Sequence, residues 1–464
     1  VASERIYLIG VCGSAMGGVA GLLAAAGHAV GGSDTQFYDP MGGKLKEWGV
    51  ATYAGWDAAN IDAFRPQRVV VGNVVRSDNP EMARVKALGL PFESFPEMLE
   101  RTLLVPTENI VVTGTHGKTT VSSLLAWLLE QAGERPSWFI GGIPENLGQN
   151  FKASGGRWFV LEGDEYDTAF WDKGPKFLHY RPRHGLVLNV ELDHVDIYPS
   201  FDAVKAAFRK FAGLVPADGT LTTCAEDAPA LEVTADQAAP RLLYGAGSPV
   251  APEGAAYHAD HTTFQVRTPD GLHGPFTTRL SGRHNVLNAC AAFALWRHLG
   301  LDAASFARGL ASFAGVRKRL EAKGEWNGAL VFEDFGHHPT EIAATLAGLR
   351  LRFPGRRLLV AFRAESNTSR TPLFEPRYVE AFTGADRVFL AATLAKRDYL
   401  KTERHFDPEL VVGELTKRGV AASHHPDVSS LAAVVRAEAG ERDLVILFSS
   451  RGMDGLAAML TAER

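Results

Sequence analysis

A strand that passes through a glycine turn directly into an amphipathic helix admits few folds, and this chain contains one: Val111-Val112-Thr113-Gly114-Thr115-His116-Gly117-Lys118-Thr119-Thr120. Val121, Leu124, Leu125, Leu128 and Leu129 recur at spacings of three and four, which predicts one apolar helix face, and Gly133 stands where the helix can end. The loop suits a phosphate chain. Glycines let backbone N–H groups approach, the helix start supplies partial positive charge, and Lys118 adds a full one. The Thr119 hydroxyl then suits Mg²⁺. The match is to GTxGKTT and not to the full GxxxxGK[ST], because Val112 occupies the position of the first glycine. An unrelated glycine turn is the bland alternative. A helix-start lysine that faces phosphate is expected to make no core contact.

Around this unit the chain alternates short β-rich runs with Ala/Leu-rich helical stretches, the rhythm of parallel βαβ units. The runs IYLIGV and RVVVGN predict a doubly wound N-terminal domain, and NIVVTG and GLVLNV belong to a second. From about Asp218 to Gly282 the pattern reads as looser and turn-rich, with TFQVRTPDG suggesting antiparallel strands. Alternation resumes with ALVFED, RLLVAF and DLVILF. A length of 464 residues exceeds what one core usually serves. The expected architecture is therefore α/β in three domains, at 1–105, 106–314 and 315–464. A formal charge of −5 gives no basic surplus for nucleic acid. Three scattered cysteines fit neither a disulfide framework nor a CxxC metal site, and no apolar run is long enough to span a membrane. The start also lacks the layout of a signal peptide. These features point to a cytoplasmic protein.

The acidic cluster Glu162-Gly163-Asp164-Glu165-Tyr166-Asp167 follows the strand-like RWFVLE, and Asp193-His194 follows GLVLNVEL. Ligands of α/β sheets bind beyond the carboxyl ends of strands, so both groups are candidates to meet the phosphate loop. Carboxylate oxygens suit Mg²⁺ there, and a histidine suits a second metal position. Solvated loop caps are the competing reading.

Taken together, GTHGKTT, EGDEYD, NVELDH, SGRHNVLNACAA, GVRKRLE and EDFGHHPTE resemble the Mur ligases, in that family's order and across its three domains. The resemblance implies a Rossmann-like UDP-binding domain, a P-loop ATPase-like central domain and a Rossmann-like C-terminal acceptor domain. It implies ATP and Mg²⁺ as cofactors, with Gly114, Thr115, His116, Gly117, Lys118, Thr119 and Thr120 around the phosphates. Thr119 and Glu162 would hold the first metal, and His194 would help with a second. His284, Asn285 and Asn288 would meet the adenine end, against a reading of the asparagines as helix caps. Arg319 and Asp334 would serve the phosphoryl charge and the ribose. Lys118, His194, Arg319 and His338 are the catalytic candidates, with His194 and His338 unranked as general base.

Gly10-Val11-Cys12-Gly13-Ser14-Ala15-Met16-Gly17-Gly18 and Ser33-Asp34 approach a dinucleotide fingerprint, but Cys12 and Ala15 displace its glycines. The resemblance assigns Gly10, Gly13, Ser14, Met16, Gly17, Ser33 and Asp34 to a UDP-sugar. Within the family the long segment EGDEYDTAFWDKGPKFLHYRP resembles the peptidoglycan-recycling branch. That branch joins UDP-N-acetylmuramate to the peptide L-alanyl-γ-D-glutamyl-meso-diaminopimelate; the expected form of the chain is a monomer or weak homodimer. Two departures stand out. Arg209 occupies the place where several members carry a carbamylated lysine, and Phe362-Arg363-Ala364-Glu365-Ser366-Asn367-Thr368 exchanges the acid and arginine of the usual FEPRSNT. Arg363 and Arg370 are the candidates for the acceptor's carboxylates. The L-alanine-adding ligase is the near alternative. A nucleotide-binding switch and an NAD-dependent oxidoreductase are the distant ones.

Overall fold

A computed structural model describes residues 3–38, 41–393 and 404–462. They form two compact units, one of residues 1–191, 202–249 and 291–309, the other of residues 192–201, 250–290 and 310–464.

The first unit holds two sheets. β1 (Arg5–Ile9), β2 (Ala29–Asp34), β3 (Ala51–Ala54), β4 (Arg68–Val71) and β5 (Phe92–Ser94) make a parallel sheet in the order β3-β2-β1-β4-β5. Its strand order reverses beside β1, so the turn after β1 lies at a topological switch point, where α/β sheets bind ligands. The second sheet comprises β6 (Glu108–Thr113), β7 (Ser137–Phe139), β8 (Phe151–Lys152), β9 (Trp158–Glu162), β10 (Pro182–Val187), β11 (Thr220–Cys224) and β12 (Arg241–Tyr244), ordered β12-β11-β10-β6-β9-β7-β8. β6 lies between β9 and β10 and runs parallel to both. Ile110, Val111 and Val112 are wholly buried, as a strand covered on both faces requires. The reading of 218–282 as loose and turn-rich needs correction, because 220–244 extends this sheet with parallel strands β11 and β12 around a helix at Ala228–Val233.

The second unit begins its own sheets at residue 251. β13 (Ala251–Tyr257), β14 (Thr262–Thr268) and β15 (Gly271–Thr278) are antiparallel, as TFQVRTPDG suggested. β16 (Glu321–Trp326), β17 (Ala329–Asp334), β18 (Arg357–Phe362), β19 (Arg387–Ala391), β20 (Ala421–His425) and β21 (Asp443–Phe448) follow in the order β16-β17-β21-β18-β19-β20, parallel except for the β16–β17 pair.

The helix Phe201–Ala212 shows how sequence period becomes packing. Val204, Ala207, Phe208 and Phe211 share one buried face, and Phe177 meets Phe208 and Phe211 at ring-centroid distances of 5.6 and 5.2 Å. Its opposite face carries Arg209, whose Nη2 donates to Glu232 Oε1 at 3.1 Å. Replacing Phe211 by Ala removes a wholly buried ring. The expected cost is about 3–5 kcal/mol, read as a lower urea midpoint at unchanged slope. A shift below about 1 kcal/mol would mean that this face contributes little to the unit's stability.

Candidate functional site

The loop after β6 is built around glycine. Gly114 has φ +144°, and a Cβ there would meet Leu188 Cβ at 3.0 Å and Asn189 N at 3.2 Å. The chain then enters the helix Lys118–Gln131, which buries Val121, Leu124, Leu125, Leu128 and Leu129 as its spacing predicted. Gly133, at φ +81°, ends the helix while Glu134 N donates to Leu129 O at 3.0 Å.

Residues after the neighbouring strand β10 hold the loop in place. Thr115 N donates to Asn189 O at 3.0 Å, and His116 N donates to Asn189 Oδ1 at 2.7 Å. Asn189 Nδ2 returns a bond to His116 O at 3.0 Å. Glu191 N donates to Thr115 Oγ1 at 2.8 Å, and Glu191 Oε2 lies 2.8 Å from His116 Nε2. The expectation that Lys118 makes no core contact is wrong. Its ammonium turns inward, donating to Gly114 O at 2.6 Å and Thr115 O at 3.1 Å, and pairs with buried Glu165 at 2.8 Å. Burial opposes its charge, yet the Glu165 carboxylate more than compensates, so the lysine titrates above its ordinary range.

On the other side of β6, Glu162 ends β9. Thr119 Oγ1 donates to Glu162 Oε1 at 2.8 Å, and Gly141 N donates to Glu162 Oε2 at 2.7 Å. Two hard oxygen donors thus stand together at the helix start, the donor chemistry that Mg²⁺ takes. Asp164 pairs with buried Lys176 at 2.8 Å. Burial raises the Asp164 pKa, but Lys176 outweighs it and brings the carboxyl down to about 2. Sequence reasoning placed Glu165 only within the acidic cluster as a whole and gave no individual role to Asn189, Glu191 or Lys176. For the first three the available signal was position, immediately after the strands that flank β6.

In the N-terminal sheet, Gly10 N and Val11 N both donate to Ser33 O at 2.9 Å, and Cys12 N donates to Asp34 Oδ2 at 2.8 Å. Gly13 caps the helix Ser14–Ala25. Gly10, Gly13, Ser14 and Asp34 therefore gather at one turn. Gly10, Met16, Gly17 and Ser33 are buried at or beside this turn. The Ser33 hydroxyl donates to Glu81 Oε2 at 2.5 Å, so its side chain is engaged inside the fold.

The second unit gathers the remaining candidates in three places. His194, at φ +51°, donates its N–H to Asp193 Oδ1 at 2.7 Å and Thr368 Oγ1 at 3.0 Å. Burial opposes ionisation of Asp193, but His194, His337 and His338 hold its carboxyl well below the usual range. His338 is wholly buried at the start of the helix Pro339–Arg352, where its Nδ1 accepts Thr340 N at 3.3 Å. Arg319 lies over the Phe335 ring at 4.9 Å and 3.6 Å from Glu341. Asp334 takes Gly336 N and Leu320 N at 2.7 Å each, and burial raises its pKa against the pull of Arg319. His284, Asn285 and Asn288 lie inside the helix Arg283–His298 and not at its cap, so the capping alternative fails. A cleft of about 250 Å³ is lined by His284, Leu287, Ala344, Ala347, Gly348 and Leu351 together with Arg283. Burial pushes the His284 imidazole down to about 4.

Arg363 is engaged by partners within its own unit. Its Nε donates to Glu365 Oε1 at 2.7 Å and its Nη2 to Asp454 Oδ1 at 3.0 Å, with only 5% of the residue exposed. Glu365 Oε2 in turn accepts Ser449 Oγ and Arg451 N, both at 2.7 Å. The exchanged pair braces the loop after β21. Arg370 is also buried.

Residues 5–104 match the domain described as Mur ligase family, catalytic domain; residues 112–296 match the Mur ligase middle domain; and residues 318–451 match the Mur ligase glutamate ligase domain. The UDP-N-acetylmuramate–L-alanyl-γ-D-glutamyl-meso-2,6-diaminoheptandioate ligase of Escherichia coli K12 is 33% identical over 458 residues, covering 97% of this chain and 96% of the relative. The chain belongs to the Mur ligase family. The UDP-N-acetylmuramate–L-alanine ligase of Carboxydothermus hydrogenoformans is also 33% identical, covering 89% of this Mur ligase and 87% of the relative. The crystal structure of a murein peptide ligase from Psychrobacter arcticus 273-4 aligns over 100% of both chains, with TM-score 0.73 and 28% identity.

Removing Arg363 should expose the cost of its buried partner. Arg363→Ala leaves Glu365, 1% exposed, without its cation. It should lower stability by about 3 kcal/mol, with partial recovery in the Arg363→Ala/Glu365→Gln double variant. Denaturant melts that match wild type would show that the pair braces nothing.

Proposed function

We propose that this Mur ligase uses ATP and Mg²⁺ to join the lactyl carboxylate of UDP-N-acetylmuramate to the amine of L-alanyl-γ-D-glutamyl-meso-diaminopimelate, in cytoplasmic recycling of peptidoglycan. The observation that carries this reading is the full-length match to the E. coli tripeptide ligase, 33% identical over 97% of the chain. The inward lysine and the Thr119–Glu162 pair beside β6 support it chemically. We take the domains as 1–105 for the UDP-sugar, 106–314 for ATP and 315–464 for the acceptor.

A carboxylate does not acylate an amine at neutral pH until its oxygen becomes a leaving group. Transfer of the ATP γ-phosphoryl group to that oxygen makes an acyl phosphate. The peptide amine then attacks its carbonyl, and phosphate leaves as the amide forms. Lys118 offsets charge on the phosphates, and Thr119 and Glu162 are the residues that would hold Mg²⁺. When bound, the ion neutralises negative charge that would repel the attacking carboxylate. The incoming amine is an ammonium at pH 7 and must lose a proton. His194 suits this step better than His338, because its side chain keeps 15% exposure beside Asp193 whereas His338 has none. In the second unit, Arg319 and Asp334 serve the nucleotide, and His284, Asn285 and Asn288 serve its base.

Lys118→Ala should reduce ligation more than tenfold, on the order of 1.4 kcal/mol of barrier or above, whichever acceptor is used. Glu162→Gln should raise the Mg²⁺ concentration needed for half activity. Retained activity in the first variant and an unchanged Mg²⁺ requirement in the second would remove both residues from the site.

Acceptor choice tests the reaction itself. With limiting UDP-N-acetylmuramate and equal concentrations of L-alanine and tripeptide, mass spectrometry should find chiefly the tripeptide product, with phosphate released from ATP. A predominance of the single-alanine product would make this the alanine-adding enzyme.

A further inference from the structure

Glu81 is a wholly buried acid for which the reaction has no evident use. It sits in the first turn of the helix Pro80–Ala87, whose cap Asn79 accepts Glu81 N at 2.9 Å. Its Oε1 accepts Tyr7 Oη from β1 at 3.0 Å and Asn60 Nδ2 from the helix Ala58–Phe64 at 2.8 Å. Its Oε2 accepts Ser33 Oγ from β2 at 2.5 Å. None of these three donors carries a positive charge. Burial raises the carboxyl's pKa, while the hydrogen bonds oppose that rise and the helix start favours the anion.

One residue links this acid to the turn after β1. The hydroxyl of Ser33 goes to Glu81, and its carbonyl receives both Gly10 N–H and Val11 N–H at 2.9 Å. The next residue, Asp34, receives Cys12 N–H at 2.8 Å and Thr35 N–H at 2.7 Å. The backbone at the switch point therefore hangs on residues 33 and 34, and Ser33 is fixed from behind by a carboxylate that also grips β1 and a second helix. A site that recognises a diphosphate through backbone N–H groups depends on their preset direction.

We infer that Glu81 is a positioning residue for the UDP-sugar, acting through Ser33 on the Gly10–Gly13 turn. The inference rests on reading the N-terminal sheet as the UDP-sugar domain. A merely structural role would lower the folded fraction and affect every substrate alike, whereas a positioning role affects one. The test is calorimetric titration of the full chain with UDP-N-acetylmuramate and, separately, with ADP, for wild type, Glu81→Gln, Glu81→Ala and Ser33→Ala. Glu81→Ala should weaken UDP-N-acetylmuramate binding about tenfold, and Ser33→Ala and Glu81→Gln by less, with ADP affinity unchanged in each. In turnover, the KM for the UDP-sugar should rise while kcat at saturation stays within about twofold of wild type. Should Glu81→Ala fail to fold, Glu81→Gln and Ser33→Ala decide alone. Equal weakening of both ligands, or of neither, overturns the inference while leaving the proposed reaction standing. Wild-type protein that does not bind UDP-N-acetylmuramate overturns the domain reading and the inference together.

Discussion

The phosphate loop depends on the burial of one ammonium group. Taking the Lys118 charge out of water is costly unless partners replace its hydration, and Gly114 O, Thr115 O and Glu165 do so. Because two of those partners belong to the loop itself, the same bonds that hold the lysine also curl the backbone around it. Glu165 follows β9, and the Asn189–Glu191 segment that fastens Thr115 and His116 follows β10. The parallel arrangement of three strands thus brings every fastening to one end of the sheet.

Acids organise the second unit in a similar way. Asp193 gathers His194, His337 and His338 around an ionised carboxylate, Asp334 joins the backbone at Leu320 to that at Gly336, and Glu365 ties Arg363 to the loop after β21. Each lies in a loop or at the end of a strand, and each joins a near neighbour to a residue distant along the chain. Rigid strands supply their spacing, and charge-assisted bonds set the direction of the side chains.

Much of this was legible in the sequence because it was local. The helix Lys118–Gln131 follows from the spacing of its leucines, and Gly114 and Gly117 announce the turn before it. The pairing of Thr119 with Glu162, 43 positions apart, was implied by the family resemblance and not by local pattern. What escaped was non-local. TLTTC, wholly buried as β11, reads as turn-rich because threonine serves loops and inner strands equally well. Ser33 looked ligand-facing until Glu81, 48 positions onward, took its hydroxyl. Arg363 looked like a surface cation because its partner Asp454, 91 positions away, cannot be inferred from the residues around it.

The Arg363–Glu365 brace also bears on how such a chain can change. Relative to FEPRSNT, acid and base have traded places, and the buried Arg363 also reaches the largely exposed Asp454. Changing only the first position puts two arginines side by side in a dry interior, and changing only the second puts two glutamates there beside an aspartate. Both intermediates carry an unmatched buried charge and fall well below either endpoint in stability. A path between the two arrangements by single substitutions therefore passes through a form with like charges in contact.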